Sequence, residues 1–178
     1  PRVVANGRAI YRGKIPLAEA RTRLAEVWTP YHATLQRLLA EARRDFGAAI
    51  LIDCHSMPHE AIDSIAAGGR TPDVVLGDRF GAACGPEIVD RIEAAFAGAG
   101  LRVARNAPFA GAYVTQHYGR PSRGQHVVQV EIDRALYMDE REIRPSAGFA
   151  DMRRLLDGVM AELVEIGRPP AAVPLAAE

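Results

Sequence analysis

The sequence predicts an α/β fold: a single three-layer domain in which helices cover both faces of a mainly parallel or mixed sheet. Short apolar runs, typical of buried strands, alternate along the chain with longer segments of helical periodicity. The length of 178 residues fits one domain. We assign residues 1–167 to that domain and expect residues 168–178, which are rich in Pro and Ala, to be a disordered tail.

The first helical pattern begins at Leu17, where apolar residues recur at three- and four-residue steps. Pro30 interrupts this pattern, which predicts either two helices or one helix with a kink, and Gly47 is a good C-terminal stop. Further helices are expected over residues 86–97 and 149–166.

Strands are expected where short apolar runs lie between turn residues. The clearest are residues 48–54, a nearly continuous apolar run, and residues 126–132. Residues 73–76 and 101–104 are predicted as shorter strands, and residues 113–115 as a very short one.

Composition excludes several function classes. The 22 basic and 22 acidic side chains cancel, whereas a general nucleic-acid binder depends on an excess of Lys and Arg. No apolar run approaches the ~20 residues of a membrane-spanning helix. Cys54 and Cys84 do not make a disulfide scaffold, which suits a reducing cytoplasm. We therefore expect a cytoplasmic protein with neither a nucleic-acid nor a membrane partner.

His55 stands where the strongest predicted strand ends. Functional sites in open α/β sheets gather at the carboxyl ends of strands, and a His held there by a rigid strand suits a metal ligand. The alternative is a His that caps the following loop through hydrogen bonds.

Glu131 is a second unusual residue, because it is acidic and its strand is otherwise largely apolar. Strand alternation places it on one face with Val127 and Gln129, near the end of a largely buried strand. A buried carboxylate is costly unless it is paired, protonated or beside a metal. It is either a general base or the partner of an arginine such as Arg134.

Two glycine-containing loops offer substrate-binding groups. Arg79 can fork a carboxylate, unless it is paired with Asp78 or Asp133. His117, Tyr118 and Arg120 belong to a segment of the kind that often forms lids or substrate walls.

Cys54 suggests a different mechanism, that of a thiol nucleophile. Neighbouring residues on a strand point to opposite faces, however, so His55 is badly placed to act as its base. A buried, inert Cys is the favoured interpretation.

Four motifs, in this order and spacing, resemble the N-formylglutamate amidohydrolase family: LIDCHSMP, PDVVLGDRFG, NAPFAGAYVTQHYGRP and HVVQVEIDRALYMDE. The resemblance implies a bacterial, zinc-dependent hydrolase of histidine degradation that cleaves N-formyl-L-glutamate, or a similar N-acyl amino acid, to formate and L-glutamate. It also implies a fold similar to that of the zinc carboxypeptidases.

The resemblance implies roles for individual residues. His55, followed by Ser56, matches the last zinc ligand, and Glu131 matches the general base. Arginines are expected to line the pocket of a dicarboxylate substrate. The predicted substrate-binding residues are Arg79, His117, Tyr118, Arg120 and Arg134.

One departure from the family pattern is large. The family's N-terminal segment carries a Pro-His-Ser/Ala-Gly-type motif, which nothing here matches. We expect the remaining zinc ligands upstream of Pro1, so that these 178 residues alone bind zinc weakly, show no turnover and self-associate, with homo-oligomers possible. A cysteine-dependent amidase using Cys54 and a non-catalytic binding domain stay as alternatives.

Overall fold

The structure, a computed structural model, describes residues 3, 7–63 and 71–168 of the protein. It divides into two compact units, residues 1–41 and 42–178. The single domain expected over residues 1–167 stays a prediction, and all but the first residue of the expected tail lies outside the described residues. Within the described part of the chain, no helix is long and apolar enough to span a bilayer.

The first helical segment continues past Pro30 without a break. It comprises α1 (Leu17–Arg23), a π turn (Leu24–Trp28) and α2 (Thr29–Phe46). In the π turn the Thr29 amide donates to the Leu24 carbonyl, one residue farther back than in an α-helix. The π turn ends two residues before Pro30, which has no N–H to donate, and the segments are consecutive along the chain and not two separate helices.

Four strands form one mixed sheet, which confirms the predicted α/β class. They are β1 (Ala49–Met57), β2 (Val74–Gly77), β3 (Val103–Arg105) and β4 (Gln125–Asp133). Their order is β1-β4-β2-β3; β1 runs parallel to β4 and β2 parallel to β3, whereas β2 and β4 are antiparallel. The carboxyl ends of β1 and β4 therefore lie at the same sheet edge as the amino end of β2.

The remaining elements are short, apart from two long helices. They are α3 (Glu60–Asp63), α4 (Pro86–Gly98), α5 (Tyr113–Tyr118), α6 (Phe149–Ile166), 3₁₀ turns at Pro121–Arg123 and Arg134–Leu136, and a small hairpin of β5 (Met138–Asp139) and β6 (Arg144–Pro145). The bounds of α6 are those predicted, and α4 begins at the predicted residue.

The prediction of a very short strand over residues 113–115 is wrong, because these residues form the first half of α5. Its Val and Thr favour a strand locally. Thr115 and Tyr118 are both buried, however, and their spacing of three residues gives one face of a helix against the sheet.

Strand alternation gives the sheet two different faces. One face supplies Val74, Leu76, Val128 and Val130 to the main core, which α4 and α6 complete. The opposite face carries Glu131, whose register neighbour on β2 is Val75. Glu131 therefore lies on the face away from the main core.

Candidate active site

His55 and Glu131 are direct neighbours across the sheet. β1 and β4 are parallel, and their register pairs His55 with Glu131 and Asp53 with Gln129. Glu131 is 8% exposed, whereas the His55 side chain is 46% exposed. The fold thus brings the predicted metal ligand and the predicted base together at the carboxyl ends of two adjacent strands.

Among the described residues, the hydrogen-bond partner of Glu131 is an amide and not an arginine. Gln129 Nε2 donates to Glu131 Oε1 at 2.8 Å. Burial raises the pKa of the Glu131 carboxyl, and the nearby His55, the Gln129 hydrogen bond and Arg134 only partly oppose this. A carboxyl whose pKa is raised towards neutrality is better suited to move protons.

Asp53 lies beside His55 on β1. Its Oδ1 is 3.1 Å from His55 Nε2, and the carboxylate is largely shielded from solvent. Its Oδ2 is buried and has no hydrogen-bond partner among the residues that the structure describes. An imidazole whose Nε2–H points at a carboxylate presents Nδ1 as the nitrogen with a lone pair.

Arg134 ties the end of β4 to the end of β1. Its Nε donates to Ser56 Oγ at 3.1 Å and its Nη2 to the Ser56 carbonyl at 3.0 Å. Its Nη1 also lies 3.9 Å from Glu140. The guanidinium is partly exposed and faces the strand ends that carry the site.

A second His belongs to this sheet edge, and the sequence analysis assigned it no role. His59 Nδ1 lies 2.7 Å from Asp133 Oδ2, and its backbone N–H donates to Glu140 at 2.8 Å. The hydrogen bond to Asp133 raises the pKa of His59. Asp133 also accepts from the Ala135 amide, so it joins the loop after β1 to the turn after β4.

Arg79 lies in a loop after β2 that is bonded to the loop after β3. Its backbone N–H donates to Ala110, and its Nη1 donates to the Gly111 carbonyl at 3.2 Å. Asp78 bonds to the Asn106 side chain instead. Pairing of Arg79 with Asp78, one of the alternatives, is therefore absent within the described residues.

The other three predicted substrate-binding residues lie towards the opposite end of β4. Gln125, the first residue of β4, donates to the Tyr118 carbonyl and pairs with the Arg120 backbone. Gln125 precedes Glu131 by six residues, about 20 Å of strand.

The side chains of these three residues also differ in their exposure and contacts. Tyr118 is only 3% exposed, and His117 stacks on Tyr113 at the surface of α5. Arg120 donates to carbonyls of its own segment. The structure does not bring these groups to Glu131.

Cys54 lies on the opposite face from His55. Its register partner is Val130 of the main core, whereas His55 pairs with Glu131. Cys54 is exposed, so the expectation of a buried Cys was wrong. Partial desolvation, with a smaller contribution from Asp53, nevertheless raises the pKa of its thiol, which disfavours the nucleophilic thiolate. No observation favours the cysteine mechanism.

Asp53 and Gln129 are the polar residues of this site that sequence reasoning missed. Both precede a predicted functional residue by two positions, so strand alternation places each on the same face as that residue. That spacing was a signal for their location. Only the hydrogen bond between Gln129 and Ala112 depends on the approach of α5 to β4, which is not local information.

The family model that matches is FGase, N-formylglutamate amidohydrolase, over residues 1–138. The chain is 42% identical over 172 residues to the N-formylglutamate deformylase of Pseudomonas aeruginosa, covering 93% of this chain and 62% of that protein. It is 37% identical over 149 residues to the N-formylglutamate deformylase of Pseudomonas putida, covering 80% of this chain and 54% of that protein.

A solved structure is similar as well. The crystal structure of N-formylglutamate amidohydrolase from Ralstonia eutropha superposes with a TM-score of 0.82 at 34% sequence identity, covering 93% of this chain and 59% of that one. This chain thus spans less than two thirds of the length of each of these relatives. The family match covers most of the described sheet and the site residues, and on this evidence the chain belongs to the N-formylglutamate amidohydrolase family.

Proposed function

We propose that the protein is a zinc-dependent hydrolase that cleaves the amide bond of N-formyl-L-glutamate, or of a similar N-acyl amino acid, to formate and L-glutamate. Family membership supports the reaction class. The observation that carries the assignment to this site is the register pairing of His55 with Glu131 at adjacent carboxyl ends of parallel strands.

The residues around His55 fit one position of a zinc site. Zinc-bound His commonly donates its other ring N–H to a carboxylate, and Asp53 lies 3.1 Å from Nε2. His55 would therefore hold zinc through Nδ1. The described residues contain no group of three His, Cys, Asp or Glu side chains that could hold a metal. A catalytic zinc needs about three protein ligands, so the proposal requires further ligands outside the described residues.

When bound, zinc supplies Lewis acidity towards the acyl carbonyl and towards water. Glu131 removes a proton from the attacking water and then delivers it to the amine nitrogen as the C–N bond breaks. Burial, which raises its pKa, suits a group that must both accept and release the proton. The products are formate and L-glutamate, whose amino group is free once the C–N bond has broken.

Arg79 and Arg134 are the proposed contacts of the substrate carboxylates. Arg79 Nη1 bonds only to a neutral carbonyl, so its charge is not matched by a carboxylate among the described side chains. Arg134 lies beside Ser56 at the strand ends that carry His55 and Glu131. A guanidinium binds carboxylates with strong charge-assisted hydrogen bonds.

Glu131→Gln in the full-length protein tests the proposal. The amide keeps the size of the side chain and leaves His55 in place but cannot act as a base, so turnover should fall by about 10²–10⁴-fold while zinc content is retained. The assay is formate release from N-formyl-L-glutamate together with metal analysis.

The matched control is Glu142→Gln, because Glu142 is an exposed residue of the turn between β5 and β6. It should keep wild-type turnover. Near-normal formate release by Glu131→Gln at neutral pH would contradict the base assignment. A wild-type protein with stoichiometric zinc and no formate release would contradict the substrate assignment.

A further inference from the structure

Gln129 is a buried polar residue that the proposed reaction does not use. It is 3% exposed and lies on the central strand β4, between Asp53 of β1 and Gly77 of β2. Its Nε2 donates to Glu131 Oε1 at 2.8 Å. Its Oε1 accepts from the Ala112 backbone N–H at 2.7 Å. The amide therefore joins the carboxylate to the residue that precedes α5.

Chemistry fixes the orientation of this amide. The Ala112 N–H can only donate, so the carbonyl oxygen of Gln129 must face it. The NH₂ group must then face Glu131 and donate to Oε1, which leaves Oε2 as the oxygen that is free to take up a proton. Within the described residues no hydrogen bond goes to the other oxygen, Oε2.

The peptide between Gly111 and Ala112 is anchored on both sides. Its N–H donates to Gln129, and its carbonyl accepts from Arg79 Nη1. The preceding peptide, between Ala110 and Gly111, lies directly on the sheet, because a Cβ added to Gly77 would be 2.5 Å from the Gly111 nitrogen. Gln129 thus connects Glu131 to a backbone segment with little freedom to move.

We propose that Gln129 is a positioning residue for Glu131: it holds Oε1 against the 111–112 peptide and leaves Oε2 as the oxygen that exchanges the proton with water and amine. This inference rests on the proposed function, since it assigns the geometry of the same base. Gln129 would contribute to the rate by keeping Glu131 aligned with the reacting atoms. Misplacement of a catalytic group by about 1 Å can cost on the order of 10²-fold in rate.

β4 supplies a matched control. Gln125 is four residues earlier on the same strand face, and its Nε2 donates to the Tyr118 carbonyl at 2.6 Å. It therefore joins β4 to α5, as Gln129 does, but without contact to Glu131. Gln125→Met removes a comparable bond to the backbone and should leave catalysis unchanged.

Two variants of Gln129 separate its two bonds. Gln129→Glu keeps an oxygen that can accept from the Ala112 N–H but replaces the donor to Glu131 with a second carboxylate. Gln129→Met removes both bonds at similar volume. The readouts, in the full-length protein, are hydrogen exchange of the Ala112 amide, kcat and KM for N-formyl-L-glutamate, and zinc content.

We expect Gln129→Glu to keep Ala112 protected and KM within about twofold, while kcat falls about 10–100-fold. Gln129→Met should raise Ala112 exchange about tenfold, as loss of one hydrogen bond allows, and lower kcat similarly. Gln125→Met should change none of these by more than about twofold. Zinc content should be retained in all three variants.

A kcat for Gln129→Glu within twofold of wild type would overturn the proposal, as would unchanged Ala112 exchange in Gln129→Met. Should Gln129→Met fail to fold, Gln129→Glu alone decides. Failure of the proposed function is distinguishable, because there either the wild-type protein releases no formate or the Glu131→Gln variant itself stays active. Failure of this inference instead leaves Glu131→Gln inactive and Gln129→Glu active.

Discussion

At the carboxyl end of β4, His55 is paired with Glu131 across the sheet. His55 and Arg134 both lie near enough to act on the pKa of the Glu131 carboxyl. Towards the amino end of β4, His117 and Arg120 belong to α5 and the turn after it, where they contact their own segment. Both regions contain His and Arg beside a sheet edge. Only the first places them around a buried carboxylate.

The difference teaches that strand direction decides which polar residues meet. β2 is antiparallel to β4, so the loop after β2, which carries Arg79, extends towards the amino end of β4. Arg79 remains connected to the site because it bonds to Gly111, whose neighbour Ala112 bonds to Gln129. Arg120 reaches Ala112 by a longer path through α5, since its Nη1 donates to the Gln116 carbonyl and the Gln116 amide donates to the Ala112 carbonyl.

The sharpest test of this comparison replaces one His at each end of β4 with Asn. His55→Asn should lose zinc and lower turnover by more than the roughly 10–100-fold that loss of an outer-shell partner costs, because a ligand itself is removed. His117→Asn should keep zinc content and turnover within about threefold. Metal analysis and formate release measure both. Equal loss in the two variants would remove the distinction between the two ends.

A second test compares Arg79 with Arg120. Arg79→Ala should raise KM for N-formyl-L-glutamate about tenfold or more, as loss of a charge-assisted hydrogen bond allows, and raise KM for N-formyl-L-methionine less. Arg120→Ala should leave both KM values near wild type. An equal rise for the acidic and the neutral substrate in Arg79→Ala would indicate damage to the 111–112 peptide and not lost recognition.

The smallest expected effect concerns His59 at the carboxyl end of β4. Its hydrogen bond to Asp133, with further help from Asp63 and Glu140, raises its pKa in the fold. The protonated form is thus favoured by folding. Its stabilisation is fully present below the ordinary His pKa of about 6.5 and is lost as pH rises through the raised folded value.

The free energy of unfolding, measured by denaturant titration from pH 6 to 9, should therefore fall modestly as pH rises. The effect is small because the His59 side chain is 44% exposed and screened by water. His59→Gln should flatten this slope, whereas His117→Gln should not. A slope that survives in His59→Gln would assign it to another group.

The sequence alone determined the α/β class and the long elements, and it predicted complementary roles for His55 and Glu131. Residues 149–166 were predicted as a helix, and the structure has α6 over those residues. Local periodicity suffices to predict such an element, because burial of one helix face or of a whole strand requires apolar residues at regular spacing within that segment. The end of an apolar strand likewise marked His55 without knowledge of its neighbours.

The tertiary structure alone decided the antiparallel direction of β2, the helical state of α5 and the contacts of Gln129 with Ala112, of Arg79 with Gly111 and of His59 with Asp133. These contacts join residues far apart in the chain: 17 positions separate Ala112 from Gln129, and 74 separate His59 from Asp133. A local pattern indicates which face a side chain occupies. It does not indicate which donor meets it there, because that depends on strand order and register across the whole sheet.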